Sequence, residues 1–175
     1  METVGVVAHR GKSLGSGLRE LRRALAQHGC DDPIWHEVKK SKQAPDQLRE
    51  VLASGAEVIF VWGGDGMVQR CVDAMAKAEG THAALAIVPA GTANLLAAHL
   101  RVPADIDSAV RIGLYGQRLP LDLGSVNGEN FAVMAGAGFD AEMINRAGRV
   151  LKSASAELPI WQRAWPACEP SRSKR

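Results

Sequence analysis

Residues 57–76 run Glu57-Val58-Ile59-Phe60-Val61-Trp62-Gly63-Gly64-Asp65-Gly66-Met67-Val68-Gln69-Arg70-Cys71-Val72-Asp73-Ala74-Met75-Ala76, and they decide how the chain reads. Val58 to Trp62 is apolar without alternation, the pattern of a strand buried on both faces of a parallel sheet. Gly63, Gly64 and Gly66 then surround one acid, Asp65. Beyond them Val68, Cys71, Val72, Met75 and Ala76 fall at i, i+3, i+4, i+7 and i+8, which predicts a helix with one buried face, closed by Gly80. The segment reads strand, glycine turn, helix. A turn at the carboxyl end of a parallel strand lies where open α/β sheets bind ligands. Glycines there let backbone approach an anion, and the first N–H groups of the helix have no internal partner. Phosphate is the natural guest. Asp65 should repel it, so the acid holds a magnesium ion, takes a proton from an attacking hydroxyl, or caps the helix.

The same pattern recurs. Ala84 to Val88 predicts a second buried strand, followed by Pro89-Ala90-Gly91-Thr92-Ala93-Asn94 and the helical Leu95-Leu96-Ala97-Ala98-His99-Leu100. Thr92 offers a hydroxyl and Asn94 an amide beside free backbone N–H groups, although each also suits a bland turn or cap. Two such turns at one sheet edge point to a nucleotide-phosphate site more strongly than either alone.

Upstream, Val4 to Ala8 predicts a buried first strand, Leu18, Leu21 and Leu25 a helix ending near Gly29, and Pro33 to Val38 a second strand. The intervening loop from His9 to Gly17 contains Gly11-Lys12-Ser13, but Val6 stands where a P-loop needs its first glycine, which excludes a P-loop NTPase. No G-x-G-x-x-G follows the first strand, which argues against a dinucleotide dehydrogenase. Lys39-Lys40-Ser41-Lys42 reads as a solvated turn or, with Lys40 at the same sheet edge, as a phosphate contact. Pro45 opens a helix with Leu48, Val51 and Leu52 inward, and Ile106, Ala109, Val110 and Leu114 mark another. Leu119 to Leu123 and Phe131 to Met134, joined across Asn127-Gly128, predict a β-hairpin.

With 46% apolar and 23% charged residues the 175-residue chain has the makings of a sizeable core. Its formal charge of +2 gives no nucleic-acid footprint. The three cysteines, Cys30, Cys71 and Cys168, lack C-x-x-C spacing, and a reducing cytoplasm suits them. Val4 to Ala8 is too short and too soon followed by Arg10 for a signal peptide, and no run approaches the ~18 apolar residues of a membrane span. From about Lys152 the core pattern stops. Pro159, Pro166 and Pro170 interrupt a stretch that ends Ser171-Arg172-Ser173-Lys174-Arg175, as in a frayed tail or a Trp- and Arg-bearing interfacial segment.

Val61-Trp62-Gly63-Gly64-Asp65-Gly66-Met67 followed by Pro89-Ala90-Gly91-Thr92-Ala93-Asn94 resembles the catalytic domain of the diacylglycerol kinase family, which includes bacterial lipid kinases and sphingosine kinases and is related to NAD kinases. The similarity spans roughly residues 3 to 150. It implies an α/β, parallel-sheet, helix-flanked N-terminal domain of the diacylglycerol kinase/NAD kinase type that binds ATP and Mg²⁺ against a β-rich second domain. Residues 1–120 would be the ATP-binding domain, 121–151 an incomplete start of the second, and 152–175 a divergent tail of the kind a truncation or frameshift leaves. By position, Gly63, Gly64, Gly66 and the segment Met67 to Gln69 would line the ATP phosphates, Gly91 would shape its loop, and Thr92 and Asn94 would contact the nucleotide. Asp65 would act on the lipid hydroxyl or organise the metal. Met67 stands in place of the family's usual threonine, Arg70 where many members have glutamate, Leu95 where many have aspartate, and His9-Arg10 where Asn-Pro is usual.

Three functions follow as expectations. The first is an ATP-dependent lipid kinase, or a fragment of one, acting on a diacylglycerol- or sphingosine-like hydroxyl with transient peripheral contact at the inner membrane surface. The second is an NAD kinase-like phosphotransferase. The third is a nucleotide-binding module that keeps the fold without the chemistry. A half-formed second domain would expose apolar sheet and favour homo-oligomers.

Overall fold

Four strands set the frame. β1 (Val4–His9), β2 (Ile34–Val38), β3 (Val58–Gly63) and β4 (Ala84–Pro89) form one sheet in the order β2-β1-β3-β4. Every neighbouring pair is parallel, with Gly5 opposite Ile34, Val4 opposite Val58 and Val58 opposite Ala84. The computed structural model describes residues 2–133. The tail after Lys152 and most of the expected second-domain segment 121–151 lie outside them.

The unbroken apolar runs explain the layering. Along β3 the side chains alternate between two cores. Val58, Phe60 and Trp62 pack under α1 (Leu18–Gln27) and α5 (Ile106–Tyr115), while Ile59 and Val61 pack under α2 (Ala44–Ala53), α3 (Asp65–Ala76) and α4 (Leu95–His99). A strand covered on both faces cannot alternate apolar with polar, and every residue of β3 is buried. β2 is one of the two edge strands, and all of its residues but Val38 are only half-buried. There the Arg22 guanidinium covers the Trp35 ring at 3.7 Å in a cation–π contact. The predicted start at Pro33 moves to Ile34, and the inward position expected for Ala76 is exposed because α3 ends there.

The order β2-β1-β3-β4 fixes where a ligand can sit. The chain steps from β1 to β2 on one side, then crosses back to place β3 on the other. The reversal leaves a crevice outside the carboxyl ends of β1 and β3, the topological switch point of a doubly wound sheet. The glycine turn after β3 lies at that crevice.

The hairpin forms, but its arms differ from the sequence expectation. β5 (Gly124–Val126) and β6 (Glu129–Phe131) pair antiparallel with Val126 opposite Glu129, and residues 119–123 are not strand. Asn127 and Gly128 both take positive φ, 52° and 77°, as a two-residue type I′ turn requires. That turn sets the register, which brings Phe131 opposite Gly124. The Phe131 ring lies where a Cβ on Gly124 would be, at 2.2 Å.

Candidate active site at the carboxyl edge of the sheet

Four loops share the carboxyl edge: residues 10–17 after β1, Lys39 and Lys40 after β2, Gly64 after β3, and Ala90 to Asn94 after β4. The last two are in direct contact. A Cβ on Gly91 would stand 2.4 Å from the Gly64 Cα, and one on Gly64 would stand 3.0 Å from the Gly91 Cα. Only glycine at both positions lets the backbones approach this closely. The Ala90 N–H donates to the Gly63 carbonyl at 2.9 Å, which continues the sheet ladder into the turns.

Asp65 ties the turns together. It is the first residue of α3, after the extended Gly64 at the N-cap. Its carboxylate does not cap its own helix. Oδ2 accepts the Asn94 N–H at 2.9 Å, and Oδ1 accepts the Leu95 N–H, so the acid caps α4 across the fold. Asn94 sits in the left-handed region at φ 49°, ψ 51°. Its Oδ1 accepts the Gly91 N–H at 2.9 Å, and its Nδ2 donates to the Gly91 carbonyl at 2.9 Å and the Pro89 carbonyl at 3.4 Å.

These bonds settle which amides are already engaged. Gly91, Asn94 and Leu95 spend their N–H groups within the site, and Met67 and Val68 donate to the Gly64 carbonyl. The N–H groups of Asp65, Gly66, Thr92 and Ala93 have no partner among the described residues. Gly66, Thr92 and Ala93 are exposed. The rim therefore presents backbone donors, the positive end of a 12-residue helix and one fixed carboxylate.

The other predicted residues divide. Gly63, Gly64, Gly66, Asp65, Gly91, Thr92 and Asn94 all lie in the two touching turns. Met67 turns inward: it is 2% exposed, belongs to the core under α3, and lies against Gly63, leaving neither side chain nor N–H for a phosphate. Gln69 is diverted too, because its Nε2 donates to the Asn130 carbonyl of the hairpin. One turn further along α3, Asp73 Oδ1 accepts the Asn130 N–H at 2.9 Å and its side-chain amide at 3.1 Å. Burial alone would raise the Asp73 carboxyl, but the Asn130 N–H and the Lys77 ammonium outweigh it and hold it below the usual range. Lys40 is exposed at the same edge, but in the turn after β2, and β1 separates β2 from β3.

Sequence reasoning gave the loop after β1 no role, yet it is docked beside the glycine turn. The Trp62 indole N–H donates to the Lys12 carbonyl at 3.3 Å. Arg10 is occupied elsewhere, paired with Glu37 at 2.6 Å, and Glu37 also accepts the Trp35 indole N–H at 2.8 Å. Those two hydrogen bonds, Trp35 first and Arg10 second, pull the Glu37 carboxyl below its ordinary value. A hollow of about 500 Å³, lined by Gly55, Glu57, Gly80, His82 and Arg118 among others, opens at the amino ends of β3 and β4, away from both turns. Among the described residues no three His, Cys, Asp or Glu side chains converge as metal ligands, and no helix is long and apolar enough to cross a membrane.

A doubly wound parallel sheet with glycine turns at its switch point defines the class: an open α/β domain with a crevice at the carboxyl ends of its strands. The chain belongs to the diacylglycerol kinase catalytic domain family, whose model matches residues 8–126. It is 31% identical over 138 residues to a protein of Klebsiella pneumoniae (strain 342) named "Probable lipid kinase YegS-like", covering 78% of this chain and 46% of that one. A Pseudomonas aeruginosa (strain UCBPP-PA14) protein of the same name is 37% identical over 106 residues, or 60% of this chain and 34% of the relative. The crystal structure of a diacylglycerol kinase from Bacillus anthracis str. Sterne superposes with a TM-score of 0.64 at 28% identity, covering 74% of this chain and 49% of that one. The chain thus spans between about a third and a half of the length of these relatives.

Proposed function

We propose that the two touching turns bind the phosphates of ATP and that the chain is the nucleotide-binding part of a lipid kinase. The observation that carries this reading is the Gly64–Gly91 apposition, which brings into contact the two turns that carry Asp65 and the N–H groups of Asp65, Gly66, Thr92 and Ala93, unpartnered among the described residues. Donors fixed by the fold stabilise a phosphoryl group without reorganising. The Thr92 hydroxyl adds a donor at the exposed tip.

Asp65 is assigned to the reacting centre. Each of its oxygens accepts one N–H and keeps further lone-pair capacity, so the carboxylate is held in place without being exhausted. A hydroxyl bound beside it would lose its proton to that free position as its oxygen attacks the γ-phosphorus and ADP leaves. The acceptor class is a diacylglycerol- or sphingosine-like alcohol, in keeping with lipid-kinase relatives, and its phosphorylated product belongs to phospholipid metabolism. Magnesium would neutralise charge on the transferring group. Among the described residues Asp65 is the carboxylate at the rim, and an ion held there would take its remaining ligands from the nucleotide phosphates and water. Substrate presentation implies peripheral contact at the cytoplasmic membrane face, and exposed Ile112, Tyr115 and Leu119 favour self-association.

A second reading has its own support. Because both Asp65 oxygens serve as a cap for α4, the acid could be a structural lock within a nucleotide-binding module that transfers nothing. Titration calorimetry with ATP–Mg²⁺, together with radiolabelled phosphate transfer to diacylglycerol, sphingosine and NAD, separates these readings. Transfer to a lipid supports the kinase; transfer to NAD moves the assignment to the NAD kinase-like alternative. Binding without transfer supports the module, and absence of binding overturns all three.

A further inference from the structure

We propose that Asn94 is a positioning residue: it does not touch the nucleotide but sets the bend that joins the two turns and aims two N–H groups at Asp65. The inference rests on the reading of the rim as a nucleotide site and changes the role of one of its residues. The family resemblance suggests a nucleotide contact for Asn94, but its hydrogen-bonding capacity is already used. Both Nδ2 hydrogens go to carbonyls of its own turn, Gly91 at 2.9 Å and Pro89 at 3.4 Å. Oδ1 accepts the Gly91 N–H, and the backbone N–H goes to Asp65. No donor is left to offer a phosphate.

What the residue supplies instead is conformation. A left-handed φ of 49° disfavours most side chains, while asparagine tolerates it and glycine accepts it freely. With Asn94 in that bend, its N–H and that of Leu95 reach the two oxygens of Asp65, and Thr92 and Ala93 lie between Gly91 and Asn94 with their N–H groups unengaged. Remove the bend and the Asp65 cap and the Thr92–Ala93 donors lose their arrangement together.

The test compares Asn94→Gly with Asn94→Ala, measuring the ATP–Mg²⁺ Kd by calorimetry well below the thermal midpoint of each variant. Glycine keeps the bend and loses the side chain; alanine loses both. The expected result is about threefold weaker binding for glycine and roughly a further fivefold to tenfold loss for alanine, reflecting the penalty of a left-handed residue with a Cβ. If alanine fails to fold, Asn94→Ser takes its place: it is uncharged and, like alanine, carries a Cβ poorly suited to the bend, so binding weaker than that of glycine is expected. Equal Kd values for glycine and alanine, impaired or not, overturn the positioning role while leaving the nucleotide site standing. So does a serine variant that binds as tightly as glycine. A wild-type protein that binds no ATP–Mg²⁺ overturns both.

Discussion

Replacing Asp65 with asparagine tests whether the two turns are one unit. The change keeps the size of the side chain but turns one acceptor oxygen into an NH₂ group. One of the two N–H groups that now meet the carboxylate, on Asn94 or Leu95, must then face a donor. A hydrogen bond to a charged group is worth about 1.5–3 kcal/mol when buried, and an N-cap about 1 kcal/mol. Asp65 is half-buried, so water replaces part of the loss, and about 1–2 kcal/mol is expected. For a chain of this size that corresponds to a fall of roughly 2–8 °C in Tm. Asp65→Ala, which abandons both amides, should cost more than asparagine. Urea unfolding followed by tryptophan fluorescence, with Trp62 buried beneath the turn, reads the midpoint directly. The cross-helix cap predicts a measurable loss, and an asparagine variant with wild-type midpoint and slope would refute the coupling of the turns.

Three further outcomes follow from the geometry. Gly91→Ala would drive a Cβ to 2.4 Å from the Gly64 Cα and 2.5 Å from the Asn94 Oδ1, so it should cost about 1–3 kcal/mol and weaken ATP–Mg²⁺ binding in calorimetry. The Asp73 carboxyl lies below its ordinary 3.8 in the folded protein, so its contribution is present above about pH 4 and is lost as pH falls through the lowered folded value. Protection of the Asn130 amide from hydrogen exchange should weaken over that acid range, and Asp73→Asn should remove the dependence. Burial pushes the Cys71 thiol up to about 12, so at pH 8 Cys71 should resist a thiol reagent in the native protein and react once denaturant is added, as mass spectrometry of the labelled peptide would record.

Much of the frame was legible because it is local. The apolar run Val58 to Trp62 announces a strand covered on both faces, and the spacing of Val68, Cys71 and Val72 announces the helix behind the glycines. Asn127-Gly128 marks a two-residue hairpin tip because both positions need positive φ. The arms were misplaced, since apolar runs at 119–123 and 131–134 outweighed the register that a two-residue turn imposes. Met67 and Gln69 follow the glycines in sequence, but burial takes the first and the Asn130 carbonyl takes the second.

Taken alone, the chain determined its strands, its glycine turns and the family they resemble, because these depend on periodicity and on residues with special backbone freedom. Tertiary structure decided what the site residues do. Asp65 meets Asn94 and Leu95 only because β3 and β4 are neighbours, and Gly64 meets Gly91 for the same reason. A carboxylate's partners depend on which strands lie side by side, and no local pattern around Asp65 encodes that adjacency.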